Sequence, residues 1–122
     1  EYLVFDYWNR EFVGKMRDSL TVTLSGTASA VYSIRKATNH PQLLSSSRHI
    51  SQGAAEISAV EWDADSKTLS GHSKVVKGDP YKIWVYVPDG YRAVGYEIKN
   101  NVAEIIPDTS ETKEITWSIR FY

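Results

Sequence analysis

The chain of 122 residues contains no cysteine, which excludes disulfide bonds and thiolate metal sites. It also lacks an excess of either charge, because 14 Lys and Arg residues face 15 Asp and Glu residues, for a net charge of −1. No basic block recurs on one face, so nucleic acid is not expected as a partner. No apolar run is long enough to cross a membrane, and a membrane is not expected as a partner either.

The N-terminus lacks an initiator methionine, a basic region and a signal-like apolar segment. The chain starts at Glu1 and runs directly into the apolar residues YLVF. We therefore expect residues 1–122 to form one domain of a longer protein. A single core suffices at this size, since such domains bury roughly two-thirds of the surface that their unfolded chains expose.

Helical periodicity is nearly absent, and no amphipathic stretch is long enough for the crossover helix of a parallel sheet. Alternating apolar and polar residues instead mark strands in SLTVTL, SAVYSIRK, SAVEW, YKIWVYV, RAVGYEI and EITWSIRFY. Eight or nine short strands separated by turn signals predict an all-β fold, an antiparallel β-sandwich. The residues expected in its core are Val22, Tyr32, Val60, Trp62, Ile83, Val85 and Trp117.

Metal ligands are hard to assemble from this sequence. His40, His49 and His72 match none of the short spacings of zinc ligands, and we expect His72 to be exposed and His49 to make a structural hydrogen bond. The acidic stretch DADSKT carries Lys67 and Thr68 at its fifth and sixth positions, where a calcium loop needs an oxygen ligand and a glycine. We interpret this stretch as a hairpin turn, and we expect neither a metal nor a cofactor.

Two candidate catalytic patterns occur without the context that their chemistry needs. Glu61 and Asp63 lie on one strand face with roughly 6.5 Å between their backbones, a span compatible with a two-carboxylate glycosidase. Nothing marks the apolar wall or pocket that would separate acid from base, so we expect a solvated strand face. SIRK fits the S-x-x-K pattern of penicillin-recognising enzymes, but a strand points Ser33 and Lys36 to opposite faces. No catalytic residue is expected.

Aromatic residues are the remaining signal, with four Trp and eight Tyr. Along YKIWVYV, Ile83 and Val85 share one face of the strand, and Trp84 and Tyr86 share the other. Two large aromatics are unusual on a wet face. This face is either covered, by the chain itself or by a neighbouring domain, or free to stack on sugar rings. Trp84 and Tyr86 are therefore the candidate carbohydrate-binding residues.

The ordered segments YLVFDYWNREFVG, SAVYSIRK, HPQLLSSSRHISQG, VEWD, TLSGHSKVVKGDPYKIWVYVP and DGY carry a family resemblance. Together they resemble the C-terminal β-sandwich domain that follows the catalytic barrel in bacterial glycoside hydrolases of the α-galactosidase (melibiase-like) type. The resemblance covers about residues 2 to 98. In that family the barrel carries the nucleophile and the acid/base carboxylates, and no position here matches them. The resemblance implies a non-catalytic accessory domain of a secreted or periplasmic enzyme, with the upstream catalytic domain as its partner.

The opening segment YLVFDYWNREFVG has apolar residues on both strand faces, which predicts a strand covered on both sides. If the barrel supplies one of these covers, part of the segment forms an apolar patch in the isolated domain. Trp8 and Phe12 are the candidate residues of this domain interface.

Three functions from different classes stay open on the sequence alone. The first is a non-catalytic sandwich packed on a glycosidase barrel, in which SRHISQG and the Trp8 region are structural or interface residues. The second is a carbohydrate-binding module for an oligo- or polysaccharide, which requires Trp84 and Tyr86 to be exposed. The third is a complete hydrolase, which requires paired carboxylates in a cleft.

Overall fold

A computed structural model describes all residues, Glu1–Tyr122, and contains ten strands and no helix. Accordingly, no helix capable of crossing a bilayer is present. Every strand pairing is antiparallel, which confirms the predicted all-β class. The strands are β1 (Tyr2–Asp6), β2 (Glu11–Met16), β3 (Tyr32–Lys36), β4 (Gln42–Ser46), β5 (Ile57–Asp63), β6 (Thr68–Val75), β7 (Ile83–Tyr86), β8 (Ile98–Lys99), β9 (Val102–Ile105) and β10 (Lys113–Arg120).

The ten strands form three stacked sheets. The N-terminal sheet has the strand order β2-β1-β3, the central sheet β4-β7-β9-β8, and the C-terminal sheet β10-β6-β5. Side chains of the C-terminal sheet are buried together with those of one face of the central sheet, and side chains of the N-terminal sheet with those of the other face. The central sheet is therefore covered on both sides.

The composition of strand β7 accounts for the middle position of its sheet. All four residues of IWVY are buried, Ile83 and Val85 toward the C-terminal sheet and Trp84 and Tyr86 toward the N-terminal sheet. A strand without a polar position has two faces to bury. The resulting minor core consists of Leu3, Phe5, Phe12, Leu44, Trp84 and Tyr86. The major core consists of Leu43, Ile57, Leu69, Val75, Tyr81, Ile83, Val85, Val87, Ala103, Ile105, Trp117, Ile119 and Phe121.

The expected core residues are only partly in the core. Ile83, Val85 and Trp117 are buried, and half-buried Trp62 packs against the major core. Tyr32 is half-buried. Val22 and Val60 are exposed, so the prediction was wrong for these two.

Val60 is exposed because strand β5 contains a β-bulge. The pairing with β6 shifts between Ser58 and Glu61, so Ala59 and Val60 together stand opposite the single residue Gly71. Ala59 takes a left-handed conformation with φ of 48°. The bulge ends the alternation on which the inward placement of Val60 depended.

Val22 is exposed because SLTVTL is not a strand. The segment passes the outer face of the N-terminal sheet, where Leu20 lines a groove beside Val4, while Val22 and Leu24 face solvent. RAVGYEI is also largely irregular, with one bridge at Ala93 and the two-residue strand β8 at its end. Alternation does not by itself form a strand, because the backbone also needs a sheet edge to pair with.

The stretch DADSKT forms the predicted turn between β5 and β6. Oδ1 of Asp63 accepts hydrogen bonds from the backbone N–H groups of Asp65 at 2.9 Å and Ser66 at 3.3 Å, and the Ser66 hydroxyl donates to Oδ2 at 2.9 Å. The bonds from Ser66, its side chain first, lower the pKa of Asp63. The carboxylate therefore acts as a local turn acceptor.

Candidate functional site

A surface cleft of about 510 Å³ lies between the N-terminal sheet and the central sheet, and we call it the aromatic cleft. Its floor is formed by Phe5 of β1, Phe12 of β2 and Trp84 of β7. Its volume lies in the range of roughly 300–1,000 Å³ that is usual for small-molecule sites. The remaining lining residues are Arg10, Glu11, Glu97, Lys99, Asn100, Val102 and Glu104.

The β1–β2 hairpin builds one side of the aromatic cleft. Phe5 and Phe12 are directly paired, so their side chains share the inner face of the N-terminal sheet. The hairpin turn is held by Asp6, which accepts hydrogen bonds from the backbone N–H of Asn9 at 3.1 Å and from its side-chain amide at 2.8 Å. Arg10 closes the turn in a left-handed conformation with φ of 53°.

The β8–β9 hairpin builds the opposite side. Its two turn residues, Asn100 and Asn101, have φ of 48° and 60°, the conformation of a tight two-residue turn that Asn tolerates well. Nδ2 of Asn100 donates to the carbonyl oxygen of Phe12 at 3.3 Å. This bond joins the two hairpins and fixes the width of the cleft at one end.

The charged groups around Trp84 are already engaged. Nε1 of Trp84 donates to Oε2 of Glu104 at 3.0 Å, and Nζ of Lys82 lies 3.0 Å from Oε1 of the same carboxylate. A second ion pair joins Lys99 to Glu97 at 3.5 Å, with both side chains exposed. The two contacts hold the Glu104 carboxylate in a fixed position beside the indole.

Trp84 and Tyr86 are covered by the chain itself, so the exposed aromatic face that a carbohydrate-binding module requires is absent. Their exposed fractions are 5% and 3%, because the N-terminal sheet of the same chain covers this face of β7. Tyr86 packs against Phe12 with ring centroids 5.4 Å apart, and its hydrogen bond raises the pKa of Lys15, whose Nζ lies over the ring. Trp84 lines the aromatic cleft from its floor, whereas Tyr86 does not line it.

The candidate interface residues Trp8 and Phe12 separate in the structure. Trp8 lies in the β1–β2 turn with 55% of its surface exposed and makes an edge contact with Tyr7. Phe12 is buried in the minor core, so its assignment to an exposed patch was wrong. The bulge in the β1–β2 pairing lies between Val4 and Phe5 and brings Phe12, not Val13, opposite Phe5.

The other candidate residues stay dispersed. Glu61 and Asp63 are both exposed on the outer face of β5. His72 is exposed as expected, and His40 stacks on Trp62 with ring centroids 5.2 Å apart. No three His, Asp or Glu side chains are grouped so that they could hold a metal ion.

The side chains of His49, Ser33 and Lys36 differ in how well they agree with the sequence interpretation. His49 is exposed, and its side chain makes no hydrogen bond, so the expected structural role of this side chain was wrong; only its backbone carbonyl accepts a hydrogen bond, from the N–H of Gln52 at 2.8 Å. Ser33 points inward and donates to the carbonyl oxygen of Leu44, whereas Lys36 is exposed on the same strand. The opposite orientations of Ser33 and Lys36 are thus confirmed.

The stretch SRHISQG makes an ion pair and several hydrogen bonds that connect the sheets, and the sequence did not indicate these contacts. Nε of Arg48 lies 3.1 Å from Oδ2 of Asp79, and its Nη1 donates to the carbonyl oxygen of Lys74. The guanidinium also lies over the ring of Tyr81 at 5.6 Å from the centroid. Burial raises the pKa of Tyr81. Arg48 thereby ties the stretch to the C-terminal sheet.

Gln52 ties the same stretch to the other two sheets. Its Oε1 accepts from the hydroxyl of Ser45 in β4 at 2.8 Å, and its backbone carbonyl accepts from Nη2 of Arg35 in β3 at 3.1 Å. Burial lowers the pKa of Arg35. Glu56, just beyond the stretch, is buried and accepts from the hydroxyl of Ser46. These hydrogen bonds link the layers, which is a structural role, and they leave Oε2 of Glu56 buried without a hydrogen-bond partner.

Comparison with protein-family models, with curated proteins and with solved structures found no match to this chain.

Proposed function

We propose that this chain is a non-catalytic β-sandwich domain of an α-galactosidase-like glycoside hydrolase and that it packs on an upstream catalytic barrel. Two grounds support the proposal: the ordered sequence segments that resemble such domains, and an apolar surface on the outer face of the N-terminal sheet. The proposal includes a secreted or periplasmic location for the parent enzyme.

The main structural support for the proposal is this apolar surface. It is an outer groove of about 220 Å³ whose apolar lining consists of Tyr2, Val4, Met16, Leu20 and Ile34. Ile34 is 60% exposed although it stands directly beside Val4 in the sheet, and Tyr2 is exposed as well. Neighbouring apolar side chains left exposed on one sheet face are typical of a surface that another folded unit covers.

The position of the outer groove favours the catalytic barrel as the unit that covers it. The groove lies on the sheet that contains β1, the first strand, so a domain joined ahead of Glu1 is tethered beside this face. A short tether raises the effective concentration of the two surfaces and allows a modest apolar area to hold them together. Trp8, in the turn of the same sheet, is a further exposed apolar side chain.

The decisive experiment measures binding between this chain and the separately expressed barrel of its parent enzyme. Ile34→Asp should weaken the complex by about tenfold or more, because docking would bury an unpaired carboxylate. Val60→Asp is the matched control, since Val60 is an exposed β-branched residue on a strand of the C-terminal sheet. Equal effects of the two substitutions, or no binding of the unmodified chain to the barrel, would contradict the proposal.

The non-catalytic part of the proposal has its own assay. The isolated chain should not release the aglycone from a panel of α- and β-aryl glycosides. Turnover that disappears in Glu61→Gln or Asp63→Asn would instead identify a hydrolase in this domain, with those carboxylates as its acid and base.

A further inference from the structure

We propose that strand β10 is the interface of a homodimer, in which the open edges of two copies pair as antiparallel strands and join their C-terminal sheets into one. Docking on a catalytic barrel uses the outer face of the N-terminal sheet, which lies on the far side of the central sheet. The dimer therefore goes beyond the proposed function and can be tested separately from it.

Most edge strands of this fold are protected against pairing with another chain. An unprotected edge offers backbone N–H and C=O groups to any extended segment, and proteins block such edges with bulges, short strands or covering groups. Three edge strands, β2, β4 and β5, each contain the extra residue of a β-bulge. Strand β8 is only two residues long. On β3, the carbonyl oxygen of Lys36 accepts a hydrogen bond from Nε2 of Gln42 at 3.0 Å.

Strand β10 has none of these features. It pairs with β6 in unbroken register over all eight residues, from Lys113 to Arg120, and no other strand pairs with it. Only its C-terminal end is covered, because the carbonyl oxygen of Arg120 accepts a hydrogen bond from the backbone N–H of Val94 at 2.8 Å. The edge from Lys113 to Ser118 is therefore open.

The hydrogen bond from Val94 also identifies the backbone groups that the open edge presents. The N–H and C=O of a residue in an antiparallel ladder point to the same side, and that side alternates along the strand. Because the carbonyl of Arg120 faces away from β6, the backbone groups of Glu114, Thr116 and Ser118 face away as well. None of these groups takes part in a hydrogen bond outside the sheet ladders.

The three outward-facing residues are spaced to pair with themselves. When Thr116 stands opposite Thr116 of the second copy, Glu114 stands opposite Ser118 in both directions. This register joins all the outward-facing groups in about six hydrogen bonds, whereas a shift either way leaves some of them unpaired. It also brings half-buried Ile115 opposite Trp117 of the second copy, and pairs of β-branched and aromatic residues across strands stabilise sheets.

The charges on the outer face of β10 favour the same register. Glu114 and Arg120 are both exposed, and neither forms an ion pair within the chain. In the dimer, Glu114 lies diagonally across from Arg120 of the second copy, within reach of long side chains. The two-fold symmetry of the dimer creates this contact twice. The complementary charges therefore favour a second copy of this chain as the partner.

Amide hydrogen exchange, followed by NMR at about 1 mM and about 10 μM full chain, tests the interface residue by residue. The amides of Glu114, Thr116 and Ser118 should be protected at the high concentration and exchange freely at the low one, because only a second copy supplies their acceptors. Sedimentation velocity should show the matching change from dimer to monomer. A monomer at both concentrations would overturn the proposal. So would protection that appears only after the separately expressed barrel is added, because the barrel would then be the partner of this edge.

Thr116→Pro removes the central N–H donor of the open edge. Proline is tolerated on an edge strand where the N–H faces away from the ladder, so the fold should persist while the dimer weakens by about tenfold or more. Lys36→Pro makes the same change on edge strand β3, where Ala37 donates to the Glu1 carbonyl and Lys36 therefore faces away from β1. This control should leave the dimer unchanged. Undiminished dimerisation in Thr116→Pro would overturn the proposal.

An exchange of charges tests the register without a change to the backbone. Glu114→Arg and Arg120→Glu should each weaken the dimer by about fivefold, because each places like charges diagonally across the interface. The double variant with both substitutions should restore dimerisation, and absence of this rescue would overturn the proposed pairing. Ile34→Asp should leave the dimer unchanged, so failure of barrel docking and failure of dimerisation can be distinguished.

Discussion

The two faces of the central sheet are buried in different ways. Toward the C-terminal sheet, the major core consists mainly of aliphatic side chains from every strand of both sheets except β8. Toward the N-terminal sheet, four of the six residues of the minor core are aromatic. Branched aliphatic side chains interdigitate closely, whereas aromatic rings meet at tilted angles and leave space at their edges. The aromatic cleft is the space left where the minor core ends.

The two cores also differ in size, with 13 residues in the major core and 6 in the minor core, and this difference should affect how firmly each sheet is held. A small core supplies less free energy to hold its sheet in place, so the N-terminal sheet should open more readily than the other two layers. The outer groove and the aromatic cleft both involve this sheet. The C-terminal and central sheets act as the scaffold that holds it.

Two adjacent leucines test this division most strongly. Leu43 and Leu44 of β4 are both buried, Leu43 in the major core and Leu44 in the minor core. Leu43→Ala should lower the global free energy of unfolding by about 3 kcal/mol and reduce amide hydrogen-exchange protection throughout the chain. Leu44→Ala should reduce protection in β1, β2 and β3 first, because it loosens only the N-terminal sheet.

Native-state hydrogen exchange by NMR distinguishes the two outcomes strand by strand. The control is within the pair, since both substitutions remove the same atoms from the same strand. Uniform loss of protection in Leu44→Ala would mean that the three sheets unfold as one cooperative unit, and the contrast between the two cores would have no energetic meaning.

Gly71 allows the close packing of the major core to be tested by adding a single methyl group. Gly71 of β6 is paired with Trp117 of β10, and a Cβ at Gly71 would lie 2.7 Å from Cε2 of the indole. Gly71→Ala should therefore destabilise the protein by about 2 kcal/mol, as overpacking does in cores, measured by urea unfolding.

A double-mutant cycle isolates this contact. Trp117→Leu removes the ring, and Gly71→Ala in that background should cost much less than it does alone. Additive effects would show that the cost of the methyl group arises from the β6 backbone and not from the indole.

Much of the fold follows from local pattern. The sequence correctly predicts that Ile83 and Val85 share one face of β7 and that Trp84 lies on the other, because the alternation of side chains along a strand is a local property. Which layer covers each face is not local. Trp84 and Tyr86 looked like candidates for a free surface because their cover comes from β1 and β2, far earlier in the chain.

The wrong predictions for Val60 and Phe12 also arise from contacts between strands, which a local pattern does not contain. Val60 is exposed because strand β5 forms a β-bulge where it pairs with β6. Phe12 is buried because the register of β2 shifts where it pairs with β1. The two sides of the aromatic cleft are joined by a hydrogen bond between residues 88 positions apart. A local signal did exist for one side, since the pair Asn100-Asn101 between Ile98-Lys99 and Val102-Ala103 is typical of a tight hairpin turn. Nothing in it indicated a partner across the cleft.

The smallest expected effect comes from Trp8, and it is informative because the nearby Phe12 lies in the same hairpin. Trp8→Ser should change the free energy of unfolding by less than about 0.5 kcal/mol, as is usual for exposed positions, whereas Phe12→Ser should cost about 4 kcal/mol by opening the minor core. Urea denaturation of both variants measures the contrast. Trp8→Ser should also raise the solubility of the isolated chain and weaken its binding to the barrel, because it removes exposed apolar surface from the sheet that is proposed to dock. A loss of stability in Trp8→Ser comparable to that in Phe12→Ser would make the edge contact between Trp8 and Tyr7 part of the core, and the docking surface would then be confined to the outer groove.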